Sequence, residues 1–138
     1  MAGLFWEDLA ADLEDPAFLR EYVRESIRIA TVDALMNALD DARLAEGLSK
    51  VELARAIGAD PAAVRRLFAA GNANPNPTLG TLVDVAAALG MRITLEPLPA
   101  GEREMVTEPL RTGRVARSVI DKLSALRRST RRQSAQPA

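Results

Sequence analysis

The chain has 138 residues, which fits one compact core with additional segments and argues against a multidomain enzyme. Apolar residues make up 48% and aromatic residues only 4%, so we expect a core of aliphatic side chains, which favours packed helices. The chain contains no cysteine and no histidine, which excludes disulfides, thiolate nucleophiles, histidine acid/base catalysis and the usual zinc sites. We therefore expect no enzyme activity, no metal and no cofactor.

The net charge of −1 hides an asymmetry along the chain. Residues 1–110 hold 10 basic and 18 acidic side chains, whereas residues 111–138 hold 8 basic side chains and 1 acidic side chain. This asymmetry indicates a charged partner such as nucleic acid. The predominance of Arg among the basic residues is explained better by a codon bias than by contacts to phosphate. No apolar stretch is long enough to span a bilayer and the start lacks the features of a secretion signal, so we expect a cytoplasmic protein with no membrane association.

The first part of the chain predicts an acidic helical extension. Apolar residues at helical spacing run from Leu4 to Leu13. Asp15 followed by Pro16 then predicts the cap and first residue of another helix within this extension. Thr31 is a weak capping residue, so this helix is free to continue into the next one.

Two further helix boundaries follow from local signals. The apolar positions from Val32 to Leu39 have helical spacing, and Gly47 is a suitable residue to end that helix. Ser49 and Glu52 form the pattern of a capping box, which predicts the start of a short second helix.

The third and fourth helices are also opened by capping residues. Asp60 followed by Pro61 predicts the start of the third helix, which we expect to end at Gly71. A loop rich in Asn and Pro leads to Thr78, which predicts the start of the fourth helix. We predict that six apolar residues of this helix face the core: Leu79, Leu82, Val83, Val85, Ala86 and Leu89.

Residues 91–96 (MRITLE) alternate between apolar and polar side chains, which predicts one short strand that ends at Pro97. A single strand has an unpaired edge, so we expect it to pair with the N-terminal segment or with the same strand of a second chain, which would make a two-fold dimer. Beyond it, apolar positions from Val115 to Leu126 indicate one face of a basic helix, and the last dozen residues are typical of a disordered tail.

The spacing of Ala54, Gly58 and Val64 predicts that two short helices meet across a tight turn. A small residue permits close approach, glycine permits a positive φ, and the branched apolar residue returns to the core. This spacing is typical of a helix-turn-helix unit, whose second helix protrudes and enters a DNA major groove about 12 Å wide. Ordinary packing of a helical hairpin is the alternative interpretation.

Three stretches resemble an Xre-type (lambda-repressor-like) helix-turn-helix domain: residues 47–58 (GLSKVELARAIG), 64–67 (VRRL) and 77–90 (PTLGTLVDVAAALG). Within that family they are most similar to HigA-like antitoxins of bacterial toxin-antitoxin modules. The resemblance covers about residues 31–96.

The resemblance implies a mainly α, lambda-repressor-like helical bundle over residues 31–98. Residues 1–30 would be an acidic helical extension of this domain. Residues 99–138 would be a basic tail that is partly helical and partly disordered.

The resemblance also places DNA contacts on particular residues. Base contacts would lie at Pro61, Ala62, Ala63 and Arg66, and phosphate contacts at Lys50 and Arg65. Family members often have polar side chains at the first two of these positions, so here only Arg66 offers a bidentate contact to guanine. The competing interpretation is that Arg65 and Arg66 belong to a solvated helix face and that Asp60 is a helix cap only.

The function implied is a sequence-specific DNA-binding antitoxin. Such a homodimer, cytoplasmic and associated with the nucleoid, would bind a double-stranded operator, repress its own operon and neutralise a toxin of the RelE/HigB-like ribonuclease kind. A ribonuclease is expected to be basic, so the acidic extension is the expected toxin contact, with four aromatic anchors that could equally be core: Phe5, Trp6, Phe18 and Tyr22. The alternatives are a prophage-type repressor without a toxin, a scaffold that has lost DNA binding, and an enzyme, for which no catalytic constellation is present.

Overall fold

The computed structural model describes residues 8–9, 11–69 and 76–122. These residues are mainly helical, which confirms the predicted class at the level of a mainly α protein. The elements are α1 (Pro16–Ala45), α2 (Lys50–Ile57), α3 (Pro61–Leu67), α4 (Leu79–Ala88), α5 (Ala100–Glu102), the π-helical segment Arg103–Thr107 and α6 (Glu108–Thr112). Residues 8–9, 11–12 and 117–122 are also helical. Within the described ranges, no helix combines the length and the apolar content needed to cross a membrane.

Helix α1 is a single helix of 30 residues. As predicted, Pro16 is its first residue, and Asp15 caps its start by accepting a hydrogen bond from the N–H of Ala17 at 3.1 Å. The helix passes Thr31 without interruption. It ends before Gly47. This glycine has the predicted role of ending the helix, because its φ of 70° is adopted easily only by glycine.

The described residues form two compact units. The central unit is Thr31–Glu96. The terminal unit joins the described residues up to Ala30 with those from Pro97 onward. The first half of α1 therefore belongs to the terminal unit, and the second half belongs to the central unit.

The core of the central unit is built from α1, α2, α3 and α4, with α2 packed against both α3 and α4. Leu53 and Ala54 are completely buried, and Val64 is 2% exposed. The remaining buried side chains come from the second half of α1 and from α4: Met36, Leu39, Val85, Ala86 and Leu89.

The predicted core face of α4 is wrong for two residues. Leu79 is 69% exposed and Val83 is 49% exposed, whereas Val85, Ala86 and Leu89 are buried as predicted. Leu79 and Val83 lie one turn apart at one edge of the apolar stripe, where the described residues leave much of each side chain exposed.

The terminal unit has a core that brings distant parts of the sequence together. Leu19 and Val23 on α1 pack in one cluster with Val106, Val119 and Ile120. The sequence interpretation treated the extension and the tail as separate segments, but the apolar face of α1 is covered by residues that come about 90 positions later in the chain. Leu123, Leu126 and the predicted disordered end lie outside the described residues.

Arg20 and Gly113 show how closely the two parts of the terminal unit approach each other. The Nε of Arg20 donates to the carbonyl of Leu110 at 3.2 Å, near the C-terminal end of α6. Gly113 follows α6 with a φ of 72°, and a Cβ built on it would lie 2.9 Å from the Cβ of Pro16 and 3.1 Å from the Cζ of Arg20. This position therefore requires glycine for both conformation and space.

The predicted strand over residues 91–96 is not confirmed. These residues have no regular secondary structure, and all six are exposed. A strand exists only through hydrogen bonds to a partner strand, and the described residues of a single chain contain no strand with which 91–96 could pair.

Candidate nucleic-acid interface

Helix α2 begins with the predicted capping box. The Oγ of Ser49 accepts from the N–H of Glu52 at 3.0 Å, and the carboxylate of Glu52 accepts from the N–H of Ser49 at 3.2 Å. The hydrogen bond from the Ser49 backbone lowers the pKa of Glu52 below its usual range, because it stabilises the ionised carboxylate. This reciprocal pair fixes where the helix starts.

The turn after α2 depends on Gly58. Its φ is 67°, and no heavy atom lies within 4 Å of the place where a Cβ would be, so glycine is needed here for conformation and not for space. The N–H of Ala59 donates to the carbonyl of Ala54 at 2.9 Å, which is the six-residue hydrogen bond of a Schellman ending. Ala54 and Val64 are buried on either side of this turn, as predicted.

Helix α3 starts at the residues that the sequence predicts. The Oδ1 of Asp60 accepts from the N–H of Ala62 at 3.0 Å, and Pro61 is the first helical residue. The helix runs for seven residues to Leu67. Residues 70–75, which include the predicted end at Gly71, lie outside the described residues.

The side chains of α3 divide into two faces. At 100° per residue, Pro61, Val64 and Leu67 lie on the side that faces the core, where Val64 is buried and the other two are half-buried. The opposite face carries four of the predicted DNA-binding residues in angular order: Arg65, Ala62, Arg66 and Ala63. We call these four residues the α3 outer face.

The structure brings some of the predicted site residues together and not others. Arg65, Arg66 and Ala63 are exposed and Ala62 is half-buried, so the α3 outer face is accessible. Pro61 is half-buried on the inner side of the helix, which does not suit a base contact. Lys50 is half-buried in the first turn of α2, on a different helix.

The charge around this surface is modest. Over residues 47–71 there are four basic and two acidic side chains, whereas the central unit as a whole holds six basic and eight acidic ones. The net charge of the unit therefore gives no attraction to phosphate, and the positive charge is concentrated locally on α2 and α3. Asp60 places a negative charge beside the start of the outer face.

The four candidate toxin anchors have different positions. Phe5 and Trp6 lie outside the described residues. Phe18 is 36% exposed, whereas Tyr22 is 4% exposed and belongs to the core of the terminal unit. The rings of Phe18 and Tyr22 stack with their centroids 6.3 Å apart. Of these two rings, Phe18 is the one with a substantial exposed surface.

The described residues contain no group of three or more acidic side chains arranged to hold a metal ion. One open hollow in the described part of the chain has a volume of about 430 Å³ and lies between α2 and α4, with Asp84 as its one charged lining residue. A second hollow, of about 330 Å³, is lined by Leu48, Glu52, Arg55 and Ala56. Neither hollow contains a nucleophile paired with a base.

Two features of the described residues were not predicted from the sequence. One is the helical stretch from Ala100 to Thr112, whose apolar residues Met105, Val106 and Leu110 follow a helical spacing that was available in the sequence. The other is the exposed apolar edge of α4, which no pattern within one chain distinguishes from a core face.

Comparison with known proteins adds no assignment to this geometry: no family model, no curated protein and no solved structure matches the chain. Any statement about function therefore depends on the chain's own residues. Those residues give a capped helix pair, a glycine turn and an exposed face with two arginines.

Proposed function

We propose that the chain is a DNA-binding antitoxin with a helix-turn-helix domain of the Xre type over residues 31–98. It would act as a cytoplasmic, nucleoid-associated homodimer that binds a double-stranded operator, represses its own operon and neutralises a toxin of the RelE/HigB-like ribonuclease kind. The observation that carries this proposal is the α3 outer face, where Arg65 and Arg66 are exposed on a helix whose other side is held by a buried core.

The dimensions of α3 support a role in the major groove. An α-helix with its side chains is about 10 to 12 Å across, and the groove is about 12 Å wide. Arg66 has the planar fork that matches the two acceptors of guanine, and the methyl groups of Ala62 and Ala63 can contact thymine methyls. Arg65 on the same face is assigned to phosphate, so one protomer would read only a few base pairs.

The charge balance supports action as a dimer. The central unit has a net charge of −2, so a single copy gains little from the counterions that DNA releases. A two-fold dimer doubles the phosphate and base contacts, and its symmetry matches an operator with two half-sites. The basic segment after residue 110 supplies further positive charge to each copy.

The acidic start of the chain supports the toxin part of the proposal. Residues 1–30 have a net charge of −4, which complements a basic ribonuclease. Among the described residues of this segment, Phe18 is the exposed aromatic residue, and Glu21 is exposed one turn further along the same face of α1. Removal of residues 1–25 would also remove buried Leu19 and Val23, so point variants give a cleaner test than a deletion.

The toxin contact is tested by co-expression with the product of the neighbouring gene. The variant Phe18→Ala/Glu21→Lys should no longer co-elute with the toxin, yet should still shift the DNA upstream of its operon in a gel. Asp41→Lys is the matched control, since Asp41 is an exposed acid in the second half of α1, and it should keep both properties. Unimpaired co-elution of the Phe18/Glu21 variant would remove the toxin contact from this face.

A prophage-type repressor without a toxin is the second candidate. The burial of Tyr22 favours it, because burial leaves fewer accessible aromatic side chains for a tight protein interface on the acidic segment. A chain whose gene has no small basic neighbour, and which still shifts its own upstream DNA, would fit this second function. A chain that shifts no DNA but binds the neighbour's product would fit an interaction scaffold.

A further inference from the structure

The segment 91–96 lies on the surface of the central unit directly after α4. The N–H of Met91 donates to the carbonyl of Ala86 at 2.8 Å and so completes the helix ending. From Arg92 to Glu96, however, no backbone group forms a hydrogen bond with another described residue. Five successive residues therefore present open donors and acceptors, which is the property of an edge that can pair with another chain.

The side chains of the segment add an apolar face. Met91 is 45% exposed, Ile93 is 40% exposed and Leu95 is 99% exposed. In an extended conformation these three point to one side, and Arg92, Thr94 and Glu96 point to the other. An exposed row of large aliphatic side chains is unfavourable in water. Pairing would bring these side chains into lateral contact and would satisfy the backbone groups.

We propose that this segment pairs antiparallel with the same segment of a second copy of the chain, with the two-fold axis at Thr94. This register places Arg92 opposite Glu96 of the partner subunit, and the same pair occurs again across the axis. Ile93 then lies opposite Leu95 of the partner subunit. The segment is thus complementary to itself in both charge and hydrophobicity.

Other registers lose this complementarity. An axis one residue earlier places Arg92 opposite the partner's Thr94, and an axis one residue later places Glu96 opposite the partner's Thr94, so neither register pairs the charges. A parallel two-fold pairing brings the two copies of Arg92 side by side, and like charges directly opposite each other are destabilising. Within the described residues, neither Arg92 nor Glu96 has a hydrogen bond or ion pair, so both are available.

A ribbon of two short strands is marginal in water by itself, and a stable interface covers about 800 Å² on each partner. The exposed Leu79 and Val83 on the preceding helix offer further apolar surface in the same unit. The self-complementary register makes a second copy the occupant, in preference to a toxin strand or a different segment of the chain. The inference supplies the two-fold symmetry that the proposed function needs, but it is tested without DNA or toxin.

The absence of cysteine in the full chain permits a direct test of the register. In the variant Thr94→Cys, the two new thiols lie opposite each other with Cα atoms about 4.5 to 5.5 Å apart, within the range of a disulfide. In the control Glu96→Cys, the two thiols are offset along the ribbon by about 14 Å and cannot meet. Mild oxidation should convert most of the first variant, and little of the second, to a covalent dimer.

Charge reversal gives an independent readout by sedimentation equilibrium. Arg92→Glu and Glu96→Arg should each weaken the dimer about tenfold, because each turns two attractive cross-strand pairs into repulsive ones. The double variant Arg92→Glu/Glu96→Arg should restore the wild-type affinity. A monomeric wild-type chain, equal cross-linking at positions 94 and 96, or a dimer insensitive to either single reversal would overturn the proposal. If DNA binding fails while these results hold, the strand pairing stands and the proposed function does not.

Discussion

The central and terminal units are stabilised in different ways. In the central unit, neighbouring residues set most helix boundaries. Ser49, Asp60 and Thr78 cap the starts of α2, α3 and α4, and a glycine with positive φ follows α1, α2 and α4. In the terminal unit, the decisive contacts join residues far apart in the sequence, such as the hydrogen bond from Arg20 to the carbonyl of Leu110. Local chemistry therefore sets the helix boundaries of the proposed DNA-binding unit, although its core also joins Met36 with Leu89. In the terminal unit, long-range contacts decide which segments come together.

The largest expected effect comes from opening either core. Leu53→Ala and Leu19→Ala each remove a completely buried leucine, from the central and the terminal unit respectively, and each should lower the free energy of unfolding by about 2 to 5 kcal/mol. Hydrogen exchange should locate the loss, with faster exchange concentrated in the unit that carries the substitution. Equal acceleration in both units would show that they unfold as one cooperative unit.

A pair of glycine substitutions gives the next largest effect. Gly58→Ala adds a Cβ in open space, so only the positive φ is penalised, and we expect a loss of about 1 to 2 kcal/mol. Gly113→Ala adds the same strain together with a contact of 2.9 Å to Pro16, and overpacking of this kind adds about 1 to 3 kcal/mol. Urea denaturation measures both. If Gly58→Ala were the more damaging of the two, the local account of the turn would be wrong.

The smallest effect concerns the capping box and depends on pH. The pKa of Glu52 is lowered in the folded chain, so the folded state holds fewer protons than the unfolded state between the two pKa values. Its contribution is complete above the unfolded pKa and is lost as the pH falls through the folded pKa. Thermal unfolding of Glu52→Gln should therefore start slightly below wild type at neutral pH and converge with it in acid.

The control for this measurement is Glu46→Gln. Glu46 is also exposed, and it forms no side-chain hydrogen bond with another described residue. A gap between Glu52→Gln and wild type that stays constant in acid would contradict the role assigned to the carboxylate. A gap of the same size for Glu46→Gln would show that the effect is not specific to the cap.

The difference between local and long-range contacts, which is present in both units, decides what the sequence predicts. Asp15, Ser49, Asp60 and Thr78 act within three residues of themselves, so their roles as caps were visible in the sequence. The contact between the first half of α1 and Val106 depends on packing across some 80 residues, which no local pattern encodes. The strand over residues 91–96 was predicted from alternation, but alternation describes side chains and cannot supply a partner for the backbone.

The sequence predicted the backbone features of the candidate site but not the burial of every side chain in it. The turn at Gly58 and the exposure of Arg65 and Arg66 follow from helix boundaries and a period of 3.6 residues. The inward position of Pro61 and the burial of Tyr22 required the angle of each side chain relative to its own core. The exposure of a side chain near the edge of an apolar stripe therefore cannot be read from the sequence and requires the folded structure.

The central claim, that the α3 outer face reads DNA, is tested most directly by fluorescence anisotropy with a duplex from upstream of the gene. Wild type should bind this duplex more tightly than a scrambled one. Arg66→Ala should lose about 10- to 100-fold of that affinity, as expected for one bidentate base contact of about 1 to 3 kcal/mol. Arg103→Ala, which removes an exposed arginine from the terminal unit, should bind like wild type. Equal affinity of Arg66→Ala and wild type for the upstream duplex would show that Arg66 does not read DNA bases.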